Sequence, residues 1–232
     1  MAVMQQLPLE VRLADHAVFD SFYAVGNELL LHQLRLGATT PGCPPLWLTA
    51  APGHGKSHLL QAAVALAAGS GRRAGYVALG SSPDLPAGVL EGLGALDLVC
   101  LDDLQAVVAR PEWEVALFRL YEELRGNGSN LVVATDVMPA ELVFSLPDLA
   151  SRLKSGTTFR LQALDDEGRL CALQMRARFR GFELPDDTGR YLLARVGRGI
   201  AELFQLLDEL DRAALAAQKR LTIPFVRQVL GG

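Results

Sequence analysis

Between Gly53 and Ser57 the chain reads GHGKS, and HLLQAAVALAA follows it as the pattern of an apolar helix. Two glycines free to take a positive φ, then a lysine and a hydroxyl opening a helix, make a seat for phosphate. Successive backbone N–H groups point at the anion, the helix dipole favours its charge, the lysine reaches the terminal oxygens, and the serine can ligate Mg²⁺. The spacing GxxxxGK[ST] has Ala50 where its first glycine would stand. That position is the farthest along the chain from the lysine, and alanine serves there if its φ is negative. Gly53, His54, Gly55, Lys56, Ser57 and His58 are thus candidate nucleotide contacts; the plain alternative is a strand-turn-helix with a surface lysine.

Two further clusters of polar residues end hydrophobic runs. LDLVCLDD closes on Asp102 and Asp103. Carboxylates at that edge of a parallel sheet lie beside the phosphate loop, where Asp102 can hold Mg²⁺ through water, with Ser57, and Asp103 can orient an attacking water. Both acids could equally be turn residues. NLVVATD ends in Thr135 and Asp136, suited to sensing a γ-phosphate or to capping a helix.

Such side chains need a scaffold that brings strand ends together. From residue 46 to about 164, short apolar runs alternate with helical patterns: PLWLTA and KSHLLQAAVALAA, GYVALG and AGVLEGLGAL, LDLVCLD and EWEVALFRLYEELR, NLVVATD and a helical stretch through SRLKSG, then TTFRLQAL. Continuous apolar runs mean strands buried on both faces, and the intervening lengths suit crossover helices. The expected fold is α/β, a parallel sheet between helices. After Leu164 the strand signals stop and helices follow: DDEGRLCALQMRARFRGF, DDTGRYLLARVG, IAELFQLLDELDRAALAAQ and PFVRQVL, the last with Thr222 before it and Pro224 in its first turn. A small helical domain is therefore expected from residue 165 onward.

Composition narrows the function classes. Of 232 residues, 50% are hydrophobic and 21% charged, enough to bury a core without staples. Cys43, Cys100 and Cys171 are widely spaced, which indicates neither a disulfide framework nor a zinc site and fits a reducing compartment. A formal charge of −4 argues against broad attraction to nucleic-acid backbones. MAVMQQLPLEVRLAD lacks the pattern of a secretory signal, and no apolar run has the length of a membrane span, so a cytoplasmic protein is expected. Arg169, Arg176 and Arg180 recur at helical spacing. Their shared face reads either as charge offered to a partner's domain or DNA, or as an ordinary solvated face; sequence-specific DNA binding is not expected.

Taken in order, FDSFYAVGNELL, GKSHLL, LVCLDD, LPDLASRL, RARFRGFELP, LDELDRA and KRLTIPFV resemble the AAA+ ATPases of the DnaA/Hda family, from about Val18 to Leu230. The resemblance implies an N-terminal tail at residues 1–17, an AAA+ domain at 18–164 and a helical lid at 165–232. It implies the regulatory branch of the family, without the initiator's helix-turn-helix DNA-binding domain. Its members, bound to the DNA-loaded sliding clamp (the DNA polymerase III beta subunit), stimulate hydrolysis of DnaA-bound ATP and so inactivate the initiator. Arg152 of DLASRLKSG corresponds to the arginine that would act in trans, and Phe22 and Asn27 fall where base contacts are placed. MQQLPLEV is similar to the family's clamp-binding peptide, so Gln5, Gln6, Leu7, Pro8 and Leu9 are implied clamp contacts, although Met4 stands at the glutamine position and Gln5 one residue too close. The sensor arginine of the lid corresponds to Ala201, with Arg198 one turn earlier as a substitute. That loss implies little or no intrinsic ATPase and an adenine nucleotide, ADP before ATP, held with Mg²⁺. An autonomous ATPase that remodels a replication protein and a nucleotide-stabilised clamp adaptor remain alternatives, and a homodimer or larger homo-oligomer is left open.

Overall fold

The computed structural model describes residues 17–195 and 199–231. Five strands, β1 (Leu46–Thr49), β2 (Ala74–Ala78), β3 (Leu98–Asp102), β4 (Asn130–Thr135) and β5 (Thr157–Arg160), form one parallel sheet in the order β2-β3-β4-β1-β5. The fully buried strands β1, β3 and β4 are the three most continuous apolar runs, and they occupy the middle. Pairing of Thr49 with Thr135 and of Ala78 with Asp102 aligns the carboxyl ends along one edge. The polar residues that end these runs therefore meet, as residues in an open parallel sheet do.

Helices cover both faces. α1 (Glu28–Thr39) and α2 (Lys56–Gly69) pack on one side, where Leu34, Leu59, Leu60 and Ala63 meet Leu48, Cys100 and Val132. α3 (Pro111–Gly126) and α4 (Pro147–Lys154) cover the other. There Trp113, Leu117, Leu120 and Leu124 present one α3 stripe to Val99, Leu101 and Val133. Two buried polar side chains fix loops to this body. Asn130 Nδ2 donates to the carbonyls of Gly37 and Thr40, and its oxygen accepts from Cys43 N–H. The Glu114 carboxylate, 1% exposed, accepts from the backbone N–H groups of Ala109, Ser145 and Leu146, setting the entry to α4.

The expected helix over AGVLEGLGAL is absent: residues Ala87–Leu90 and Leu93–Ala95 form two 3₁₀ turns. Glycines at 88, 92 and 94 each weaken a helix by about 1 kcal/mol relative to alanine. Gly92 takes φ +80°, and a Cβ on Gly94 would overlap Glu123. The helical stretch expected after NLVVATD is likewise reduced to a turn at Pro139–Glu141 and to α4, each opening at a proline.

A second core lies beyond β5, in α5 (Asp166–Phe179), α6 (Asp186–Arg195), α7 (Ile200–Ala217) and α8 (Ile223–Val229). Leu173, Leu192, Leu207, Leu210 and Val226 fill it. Asp165 caps α5 by accepting from Gly168 N–H at 2.7 Å. The arginine stripe of α5 is paired with acids of the lid. Arg176 is buried against Asp208 of α7 and lies 4.7 Å over Phe204, Arg180 pairs with Asp208 and Asp211, and Arg169 pairs with Asp166. Asp208 and Asp211, which take the charge of Arg176 and Arg180, are some thirty residues away in sequence, invisible to a reading of α5 alone.

Candidate functional site

The turn from β1 to α2 is built by its glycines. Gly53 has φ +79° and Gly55 φ +98°, conformations costly for any residue with a Cβ. A Cβ on Gly55 would also press to 3.0 Å from Phe22. Ala50 lies outside the positive-φ residues, and its N–H donates to Thr135 O at 3.2 Å. Alanine thus satisfies the first position of the loop without strain. The His54 ring nitrogen Nδ1 lies 3.0 Å from Ala51 O and braces the turn, whereas His58 Nε2 reaches Val18 O at 3.0 Å and ties α2 to the segment before α1.

Lys56 is 5% exposed, and its ammonium donates to Ala50 O at 2.9 Å, Ala51 O at 3.4 Å and Asp136 Oδ1 at 2.6 Å. Beside it, Gln105 donates to Asp103 Oδ1 and accepts from Asp136 N–H, each at 3.3 Å. Asp103 takes φ +56°, with Gly80 packed against its side chain. Burial first, and then the neighbouring Asp102, raise the Asp103 carboxyl above the ordinary range. Thr135 is fully buried, and its hydroxyl accepts from Val137 N–H. It braces the turn after β4, leaving Asp136 as the polar end of that strand that faces the lysine.

Asp102 is 1% exposed; Oδ1 accepts from Asp103 N–H at 3.0 Å and Oδ2 from the Tyr76 hydroxyl at 2.8 Å. Ser57 and Gln61 lie beside the same phenol, and burial, then the Asp102 charge, push it well above an ordinary tyrosine. The acid expected to hold Mg²⁺ is therefore engaged by a tyrosine that also neighbours Ser57. Tyr76, Gln61 and Gln105 had no signal in the sequence, because no motif spacing relates them to the loop.

Two cavities open on the lysine. One of about 450 Å³ lies between the sheet domain and the lid, lined by Phe22, Asn27, the 52–58 loop, Arg176, Phe204 and Asp208 among others. The second, of about 370 Å³, lies over the sheet edge among Gly53, Lys56, Ser57, Asp103, Gln105 and Asp136. The first suits a base and sugar and the second terminal phosphates, so the donor set and the glycine cradle fit an adenine nucleotide. Phe22 is half-buried beside His58, with ring centroids 5.8 Å apart. Asn27 spends its amide on the backbone of Gln162, accepting from N–H at 2.8 Å. Ala201 comes directly over the loop, 3.8 Å from where a Cβ on Gly53 would lie. Arg198 and the 5–9 segment lie outside the described residues.

Arg152 lines neither cavity. It sits on α4, 4.9 Å over Phe118 and hydrogen-bonded to Glu122 of α3. Among the described residues no cluster of three or more acidic, histidine or cysteine side chains has the geometry of a metal site, and no helix is long and apolar enough to cross a membrane.

Residues 166–230 match the model of the Hda lid domain. Domain III of the Thermotoga maritima replication initiation protein DnaA superposes with a TM-score of 0.77 at 21% identity, covering 94% of this chain and 96% of that one. DnaA from Aquifex aeolicus, bound to AMPPCP, gives 0.67 at 22% identity over 80% of this chain and 62% of its own. The Thermotoga maritima RuvB Holliday junction branch migration motor gives 0.64 at 15% identity, over 89% of this chain and 69% of that one. The parallel sheet, its flanking helices and the helical domain behind it are an AAA+ fold with its lid. The chain thus carries a lid similar to that of Hda on a body with the fold of DnaA domain III.

Proposed function

We propose that the chain regulates replication initiation by stimulating, in the presence of the DNA-loaded sliding clamp, hydrolysis of ATP bound to DnaA. Its own site holds an adenine nucleotide, ADP before ATP, as a structural ligand. One observation supports this division of labour: the cations expected at a hydrolytic centre are split between two surfaces. Lys56 serves the chain's own loop, Ala201 supplies only a methyl where an arginine would approach the phosphates, and Arg152 stands outside both cavities on α4. A planar guanidinium there, paired with Glu122 and stacked over Phe118, reaches a neighbouring molecule's phosphates by releasing Glu122, and does not reach its own loop. Such a contact is worth about 10³ to 10⁵ in rate in comparable arrangements.

The test is hydrolysis of DnaA-bound ATP with clamp-loaded DNA, comparing wild-type protein with Arg152→Ala. Loss of at least about tenfold stimulation is expected; equal stimulation by both proteins sinks the assignment. A second reading, an autonomous ATPase, draws on the convergence of Lys56, Asp103 and Asp136 at one edge. Robust turnover by the isolated chain, abolished by Lys56→Ala, would favour it.

A further inference from the structure

We propose that Tyr76 takes the place of the divalent cation in this site, its hydroxyl occupying Asp102 beside Ser57 so that the loop holds its nucleotide without metal. The inference rests on the nucleotide reading above. In phosphate loops of this spacing the helix serine and the strand-end aspartate are bridged by a hydrated cation, the serine directly and the acid through water. Here a phenol from β2 takes the acid, beside the serine. Tyr76 lies opposite Cys100 in the β2–β3 register, two residues before the Ala78–Asp102 pair, and its ring packs against the core beneath α1 and α2. The ring carries the hydroxyl along the strand to Asp102 Oδ2, 2.8 Å away.

Geometry leaves the cation little to bind. A phenol has one proton, and Tyr76 gives it to Asp102, with Ser57 and Gln61 beside the same oxygen. The other Asp102 oxygen accepts from Asp103 N–H, and the carboxylate is closed to solvent. A tyrosine has two side-chain torsions, and this one is half-buried with its ring packed against the core, so moving its hydroxyl from Asp102 disturbs that packing. Phosphate charge then falls to Lys56 and to the N–H groups at the start of α2, which require no metal.

Binding of fluorescent ADP to the full chain, measured with excess Mg²⁺ and again with EDTA, decides it. Wild-type affinity should differ by less than about threefold between the two buffers, and Tyr76→Phe, which keeps the ring and frees Asp102, should become Mg²⁺-dependent by about tenfold or more. Wild-type affinity that falls tenfold on chelation overturns the proposal whatever the variant does, and so does a Tyr76→Phe protein indifferent to Mg²⁺. No ADP binding in either buffer overturns the nucleotide reading itself.

Discussion

Lys56 distributes its three protons among Ala50 O, Ala51 O and Asp136, so a buried ammonium is held by one carboxylate and two carbonyls of its own loop. This arrangement preorganises the loop at little entropic cost to a ligand. The neighbouring surface is deficient by comparison: a methyl at 201 faces Gly53. Ala201→Arg restores a long cation over the phosphate loop. Its single-turnover hydrolysis of ATP should exceed the wild-type rate by about tenfold or more, a modest share of what one preorganised donor contributes in acyl-transfer sites. An unchanged rate would mean that the missing arginine is not what limits chemistry at this loop.

Elements are locked together by acids and arginines on facing helices. Glu167 of α5 and Arg190 of α6 form a two-pronged pair, and the hydrogen bonds from Arg190 hold the Glu167 carboxyl below its ordinary value of 4.5. A depressed carboxylate contributes stability above its unfolded pKa, and loses that contribution as pH falls through the folded one. Glu167→Gln should therefore lower the melting temperature slightly at neutral pH, with the difference closing below about pH 4. A difference independent of pH would contradict the pairing. At this scale the sequence was most informative for elements whose pattern is local. Buried strands, α2, α3 and the four lid helices declared themselves by apolar period and by Thr222 and Pro224. The segment between β2 and β3 did not, since its apolar residues recur at helical intervals while its glycines favour turns. Site residues divide the same way. Gly53, Gly55, Lys56, Asp102 and Asp136 follow from motif and strand end, whereas Tyr76, Gln105 and Glu122 depend on which strands and helices become neighbours.

For the whole molecule, the segment before α1 meets the phosphate loop, the residues after β5 and the lid helix α5. Asn27 accepts from Gln162 N–H at 2.8 Å just before the lid begins. Phe22, from the same segment, closes over Gly55. Removing the first contact by Asn27→Ala should loosen lid and cavity together: faster hydrogen exchange near residues 162–170 and weaker ADP binding, by about tenfold. Weaker binding with unchanged exchange would instead make Asn27 a direct base contact. Another single side chain joins the remaining pair of surfaces. The Trp47 indole N–H donates to Leu153 O at 2.6 Å, across the face of β1 opposite α2. One end of that strand becomes the phosphate loop, and the indole grips the residue next to Arg152. Trp47 therefore ties the backbone of α4 to the strand that carries the loop, so a displacement of that helix pulls on β1.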